Sequence, residues 1–308
     1  MSAARWSLIA AMTTMAVWAV NFSCVKFLLE IIGPGAFLFV RYLAMPALGF
    51  LLLWIAFRRN PRQALPARED WPRFAACGLI GHTVHVGLVN WGMHLSTPFS
   101  SALVLTSSPL FTLLILARLG AERLRRREVA GTLVAFAGIV IFLSDKLVGG
   151  VLQAGAGDLV LLLAASLFSL YTVIVRPLTE RYGPLIVLAW TLAIGSPPLV
   201  LIGIPSMLAL DAGVFTPAVW AALFYAIVIS SFLGWLVWTW VNAARGVAET
   251  APLQYLIPPI AGLVAWLTLG ERFTGLKILG AAVAMAGIAW AQLGASAPAR
   301  KVQQPDAG

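Results

Sequence analysis

Three histidines, His82, His85 and His94, fall within one stretch, CGLIGHTVHVGLVNWGMH, and the chain has no others. Imidazole is the side chain that changes charge near neutral pH when unperturbed, yet this stretch is almost wholly apolar. His82 and His85 stand three residues apart, so a helix places them on one face, with Gly78, Gly81 and Val89 near the same side. Two imidazoles at this spacing suit a shared metal, a proton relay or hydrogen bonding to a ligand. A closed metal site needs further ligands, and no Asp, Glu or Cys stands at a matching level on an evident partner segment. Axial haem ligands come from separate segments, and no companion histidine exists elsewhere, so no metal and no cofactor is expected. Two readings remain. Either at least one imidazole lines a polar chamber, the default for an ionisable group at membrane depth, or a neutral ring bonds a neighbouring helix. His94 falls at the end of the segment, where an interfacial role is expected.

What must position these rings is set by composition. Of 308 residues, 60% are hydrophobic and only 11% charged, with mean hydropathy +0.91. A soluble domain carries about a quarter charged residues, so this chain reads as embedded in a lipid bilayer. The net charge of +9 is no nucleic-acid signal, because the basic residues cluster between apolar runs as membrane orientation requires. Cys24 and Cys77 fall inside apolar segments and read as packing residues. The first apolar run, from Trp6 to Leu29, is too long for a cleaved signal peptide. The polar, proline-containing segment 295–308 is expected to be a disordered cytoplasmic tail.

A helix needs ~20 apolar residues to cross the hydrocarbon core. That length divides the chain into ten spans, near 6–29, 35–57, 72–94, 98–117, 128–144, 156–176, 184–204, 218–241, 248–269 and 274–294. The fifth is short, and the seventh is interrupted by Pro197 and Pro198. An even number of spans puts both termini on one side. That side then collects sixteen Lys and Arg residues against four on the other, with Arg41 inside the second span. The positive-inside rule places it in the cytoplasm.

The chain also repeats itself. PLFTLLILARLGAERL from Pro109 and PPIAGLVAWLTLGERF from Pro258 each carry Glu-Arg at the same distance from the proline, Glu122-Arg123 and Glu271-Arg272. Gly131 matches Gly280, Gly138 matches Gly287, Trp71 matches Trp220 and Trp91 matches Trp240, all 149 residues apart. At an offset of 150, KFLLEIIGP matches RPLTERYGP: Lys26 with Arg176, Glu30 with Glu180, and Gly33-Pro34 with Gly183-Pro184. Two halves of five spans each must enter the bilayer in opposite senses. The expected fold is therefore all-α integral membrane: ten transmembrane helices as two inverted five-helix repeats, residues 1–147 and 155–294, around a central cavity. Inverted repeats mark secondary transporters, with substrate bound near the midplane between the halves.

The repeated proline, the Glu-Arg pair at fixed spacing and the glycines of the following short helix resemble the EamA-type carriers of the drug/metabolite transporter superfamily. The resemblance covers residues 6–294; one departure is Ala121 where the second half has Gly270. It implies an exporter of amino acids or other small metabolites from bacteria, aromatic amino acids foremost. It also implies a multi-pass protein of the inner membrane, not an enzyme.

Candidate substrate-facing residues follow from depth and type. In the eighth span, Trp235, Trp238 and Asn242 share a helical face, an aromatic wall suited to a flat apolar ligand with a polar head; lipid-facing tryptophan is the plainer alternative. Before Pro109 stands Ser108, and before Pro258 and Pro259 stand Gln254 and Tyr255. Proline frees a backbone carbonyl a turn earlier, so these helices can present polar groups or act as gates, while small hydroxyls can instead satisfy the broken backbone. In the first span, Asn21 corresponds to Tyr171 of the sixth, and Trp18 lies one turn from Asn21. The expected partners are a small-molecule substrate and the bilayer, with no nucleic acid and a monomer as the assembly. With no acidic residue in the central third of any span, transport down the substrate gradient is expected. Proton carriage by His82 or His85 is the alternative. An intramembrane enzyme built on Ser107 or Ser108 would lack an acid partner.

Overall fold

The computed structural model describes residues 3–118, 126–148, 152–245 and 251–295, and every regular element among them is helical. Glu122-Arg123, Ala121, Arg125, Thr250 and the segment after residue 295 lie outside the described residues, as do the side chains of Pro109 and Asn242.

The elements are α1 (Ala3–Ile31), α2 (Gly33–Phe57), α3 (Trp71–Cys77), α4 (Val86–Leu95), α5 (Pro98–Leu105), α6 (Ser108–Arg118) and α7 (Arg126–Val148). They continue with α8 (Leu152–Tyr182), α9 (Pro184–Leu208), α10 (Pro217–Phe224), α11 (Gly234–Arg245), α12 (Ile257–Leu269) and α13 (Gly275–Ala295). Two wide-turn π segments, Gly78–His85 and Tyr225–Leu233, join α3 to α4 and α10 to α11 without a break. A short 3-10 segment, Ala251–Leu256, leads into α12. Among the described residues the chain thus runs as ten rods, one for each expected span.

Five of these rods are long and apolar enough to cross a membrane, and three more contain shorter apolar helices. The distribution of polarity is the reverse of a water-soluble protein. Trp54, Leu133, Leu201 and Leu208 are exposed, while Ser100, Ser101, Ser107, Asp158, Ser169 and Thr191 are wholly buried. Water would not tolerate so much exposed apolar surface. Lipid demands it, and the interior must then satisfy its polar groups internally.

The repeat read from the sequence has physical counterparts at matched positions. The turns entering α2 and α9 are made by Gly33 at φ 72° and Gly183 at φ 77°, a region that residues with a Cβ avoid. Pro34 and Pro184 follow in the first turn of each helix, where a missing N–H costs nothing. Helices α7 and α13 cross backbone to backbone. A Cβ on Gly138 would lie 2.1 Å from the amide nitrogen of Ala284, and one on Gly287 would lie 2.2 Å from that of Ala135. Both members of each contact are 149 residues from their counterparts. The wider packing follows the same pattern: α1 rests on α11 and α12, and α8 rests on α4 and α6.

Three features differ from expectation. The seventh rod is not interrupted: α9 runs through Pro197, Pro198 and Pro205. Its length packs against α2, and neighbouring helices make proline tolerable in membrane rods. The sixth rod extends past residue 176 to Tyr182, with Pro177 inside it. The π segments in the third and eighth rods left no mark in the hydrophobic pattern.

Candidate functional site

The π segment Gly78–His85 carries two of the three histidines. A π turn is rare and concentrates at functional sites because it widens the helix and redirects side chains. Here it also brings the third rod against α9: Thr83 Oγ1 donates to the Gly195 carbonyl at 2.7 Å, and a Cβ on Gly195 would stand 2.4 Å from the Gly78 oxygen. In the matched segment Tyr225–Leu233, Ser231 Oγ donates five residues back to the Ala226 carbonyl at 2.6 Å.

His82 is buried among rings from both halves of the chain. Its centroid lies 6.3 Å from Tyr42, 5.8 Å from Tyr171 and 6.5 Å from Trp235. Its Nε2 is 3.2 Å from Thr191 Oγ1. The Thr191 hydroxyl proton is directed at the Val187 carbonyl at 2.7 Å, so Thr191 accepts and the ring donates from Nε2. Tyr42 Oη donates to the His82 carbonyl at 3.2 Å. His85 lies 5.1 Å from the Phe168 ring, and its Nδ1 stands 2.9 Å from the Ala164 carbonyl. A carbonyl only accepts, so that nitrogen carries the proton. The two imidazoles therefore hold opposite tautomers, each pinned by a fixed partner. Phe168, Tyr171 and Trp235 close the cluster at centroid separations of 6.2 to 6.3 Å.

The other expected residues sort into separate groups. Trp18 and Trp238 meet edge to face at 5.6 Å, and Trp18 Nε1 donates to the Ser230 carbonyl at 3.0 Å. This pair continues the aromatic wall from Trp235 one turn along α11. Asn21 lies on α1, its Oδ1 buried and without a hydrogen-bond partner. Ser108 Oγ donates to the Leu105 carbonyl at 2.6 Å, and the Ser108 carbonyl accepts from Ser169 Oγ at 2.5 Å. Its hydroxyl thus serves the break between α5 and α6. Pro258 is buried and Pro259 exposed, both in the first turn of α12. Gln254 is half-buried in the 3-10 segment. Tyr255 packs toward Leu110, Ala135 and Ile288, away from the His82 cluster. His94 faces Trp91 at 6.5 Å, and its carbonyl accepts from Lys26 Nζ at 2.7 Å.

Polar links lie towards both ends of the molecule, and those of Ser96, Phe99 and Asp70 join the two halves. On the His94 side, Lys277 and Glu271 form a buried pair at 2.7 Å, with Lys277 also near the Phe99, Phe142 and Phe273 rings. Ser96 Oγ donates to Asp158 on the same side. On the opposite side, Asp70 accepts from Arg181 at 2.7 Å and from Tyr182 Oη at 2.6 Å. A separate groove of about 320 Å3 opens between α1 and the eighth rod, lined by Trp6, Ile9, Thr13, Val17 and Leu233; it is apolar and holds none of the expected residues. Among the described residues no three His, Cys, Asp or Glu side chains converge as a metal would require.

Sequence reasoning passed over Tyr42, Phe168 and Thr191, which look like ordinary span residues until the fold brings them to His82. It also passed over Arg41, whose signal was available: a lone arginine within an otherwise apolar span.

An all-helical membrane protein with a twice-repeated helical pattern and an interior cluster contributed by both repeats belongs to the class of polytopic transporters. The chain belongs to the EamA-like transporter family, whose pattern matches residues 5–144 and again 155–292. It is 28% identical over 291 residues to a protein of Streptantibioticus cattleyicolor named as a probable terminal-alkyne amino-acid exporter, covering 94% of this chain and 93% of that one. It is 26% identical over 300 residues to a probable amino-acid metabolite efflux pump of Salmonella typhimurium, covering 90% and 92%. A crystal structure with TM-score 0.61 and 20% identity, covering 96% of this chain and 99% of the other, shares the fold.

Proposed function

We propose that this chain exports small neutral metabolites, aromatic or other neutral amino acids foremost, by alternating access and down the substrate gradient. In this reading residues 1–147 and 155–294 are inverted halves that rock about a shared central site. The protein works as a monomer in a bacterial inner membrane, crossing it ten times with both termini in the cytoplasm. The observation that carries the reading is the His82 cluster: Tyr42 and His82 come from the first half, Tyr171 and Trp235 from the second, at the level where the third rod is π-wound. A ring-lined site split between two repeats changes its shape whenever the repeats move relative to each other. Relatives named for amino-acid export support the substrate class.

The test is counterflow. Liposomes containing the purified protein and preloaded with phenylalanine, tryptophan or leucine should take up the labelled amino acid faster than empty ones. Uptake indifferent to internal substrate would refute a carrier, and a chemically altered product would point to an enzyme. Accumulation driven by an imposed pH gradient would replace downhill transport with proton coupling through His82 or His85.

A further inference from the structure

Arg41 stands inside α2, four residues, or ~6 Å along the axis, from the helix midpoint at Met45. A guanidinium at this depth is costly unless it meets an opposite charge or water, and such residues mark substrate paths. Its carbon lies 5.9 Å from the Phe37 ring and 6.0 Å from the Tyr42 ring, which supply apolar walls but no counter-charge. Its Nε is buried and has no hydrogen-bond partner. The ion pairs among the described residues join Lys26, Arg176, Arg181 and Lys277 to their acids, and none includes Arg41. Tyr42 also packs against the His82 ring, so Arg41 borders the cluster described above.

Two orphaned acceptors complete the picture. Asn21 Oδ1 on α1 and Asn90 Oδ1 on α4 are also buried without partners. Asn90 Nδ2 donates to the Val86 carbonyl at 2.8 Å, which fixes its oxygen as the free end. Helices α1, α2 and α4 pack against one another. Measured from the helix ends that share a face (Ile31, Gly33 and Leu95), Asn90 lies ~8 Å, Arg41 ~12 Å and Asn21 ~15 Å into the molecule. One unpaired cation and two unpaired amide oxygens, spread over ~7 Å of depth on three mutually packed helices, are the complement of a zwitterion.

We propose that Arg41 anchors the carboxylate of the transported molecule and that the amide oxygens of Asn21 and Asn90 accept hydrogen bonds from its ammonium group. The preferred substrates are then zwitterionic amino acids, and amines or amides of the same shape are rejected. This rests on the carrier reading above and sharpens it: the ring-lined site selects the side chain, and Arg41 selects the headgroup.

The experiment uses the full chain and matched acid and amide pairs: phenylalanine with phenylalaninamide, and leucine with leucinamide. In counterflow, each transported acid should outcompete its amide, and Arg41→Gln should raise the half-saturating acid concentration at least ~30-fold, as expected when one partner of a buried charge pair is removed. Arg41→Lys keeps the charge but not the two-pronged geometry and should fall between. Thermal unfolding without substrate separates anchoring from structure: an unpaired, half-buried charge at membrane depth exchanged for an apolar chain should leave the melting temperature of Arg41→Met unchanged or higher. Amides exchanged as well as acids, or a wild-type half-saturation in Arg41→Gln, would overturn the anchor while leaving the carrier reading intact. A marked loss of thermal stability in Arg41→Met would also overturn it, by giving Arg41 a structural role. Preference for leucine over both phenylalanine compounds, with leucinamide rejected, would support the anchor and remove the aromatic preference. Exchange of none of the four would overturn both.

Discussion

Gly138→Ala and Gly287→Ala probe the same contact from its two ends. A methyl group on Gly138 would sit 2.1 Å from the Ala284 nitrogen and 2.6 Å from its Cα; on Gly287 it would sit 2.2 Å from the Ala135 nitrogen and 2.7 Å from its Cα. The obstructing atoms are backbone, so no side-chain rotation relieves the clash. To reach ordinary contact at 3.4 Å, α7 and α13 must separate along much of their shared length, with loss of dispersion contacts on both helices. Overpacking of this kind costs about 1–3 kcal/mol, against a gain of less than about 1 kcal/mol from the better helix propensity of alanine. Both substitutions should therefore lower stability, and by similar amounts, since each meets the same atoms of a matched residue. Gly275→Ala is the control, because a Cβ there meets nothing within 4 Å. The assay is thermal or denaturant unfolding in detergent. If Gly138→Ala unfolds like Gly275→Ala, or if the two crossing substitutions differ as much from each other as from the control, the close symmetric crossing is wrong.

Further outcomes follow from the polar links and the ring cluster. Lys277→Met leaves the buried Glu271 carboxylate without its cation, holding only the Phe99 N–H, and should destabilise the protein by about 3–5 kcal/mol; the double change Lys277→Met with Glu271→Gln should recover much of this in the same unfolding assay. Thr191→Val removes the acceptor for His82 Nε2–H and should cost about 1–3 kcal/mol, whereas Thr191→Ser keeps it and should be close to wild type. Trp235→Ala, which opens one wall of the cluster while leaving the Trp18–Ser230 hydrogen bond in place, should depress counterflow more for phenylalanine than for leucine.

Much of the architecture was legible because lipid leaves little choice. An apolar run long enough to span must satisfy its backbone within itself, so span length and helix coincide. The repeat was legible where geometry restricts residue type: Gly33 and Gly183 are matched because their backbones have positive φ, and Gly138 and Gly287 because two helices touch there. The π segments were not legible, since one extra residue per turn barely disturbs an all-apolar periodicity. Nor was the continuity of α9, because proline breaks helices in water while neighbouring rods support it in a membrane. At the site, His82 was expected from its depth, Trp235 from its helical spacing with Trp238 and Tyr171 from its match to Asn21, and the fold brings them together. Tyr42, Phe168 and Thr191 could be recognised only from which rods become neighbours. Ser108 was expected from its place before Pro109, where a hydroxyl can face a ligand or satisfy the broken backbone; its hydroxyl serves the local backbone, a distinction that lies in atomic geometry.

The central claim is that two related halves lie in opposite senses across one membrane. Glu30 and Glu180 occupy matched positions beside the two glycine turns, with side chains 57% and 64% exposed. Cysteines placed there singly, in a background with Cys24→Ser and Cys77→Ser, can be labelled in intact cells with a membrane-impermeant thiol reagent. The expected result is labelling of Glu30→Cys from outside, with Glu180→Cys reacting only after the cells are opened. Equal protection or equal labelling of both in intact cells would place the halves the same way up and contradict the account.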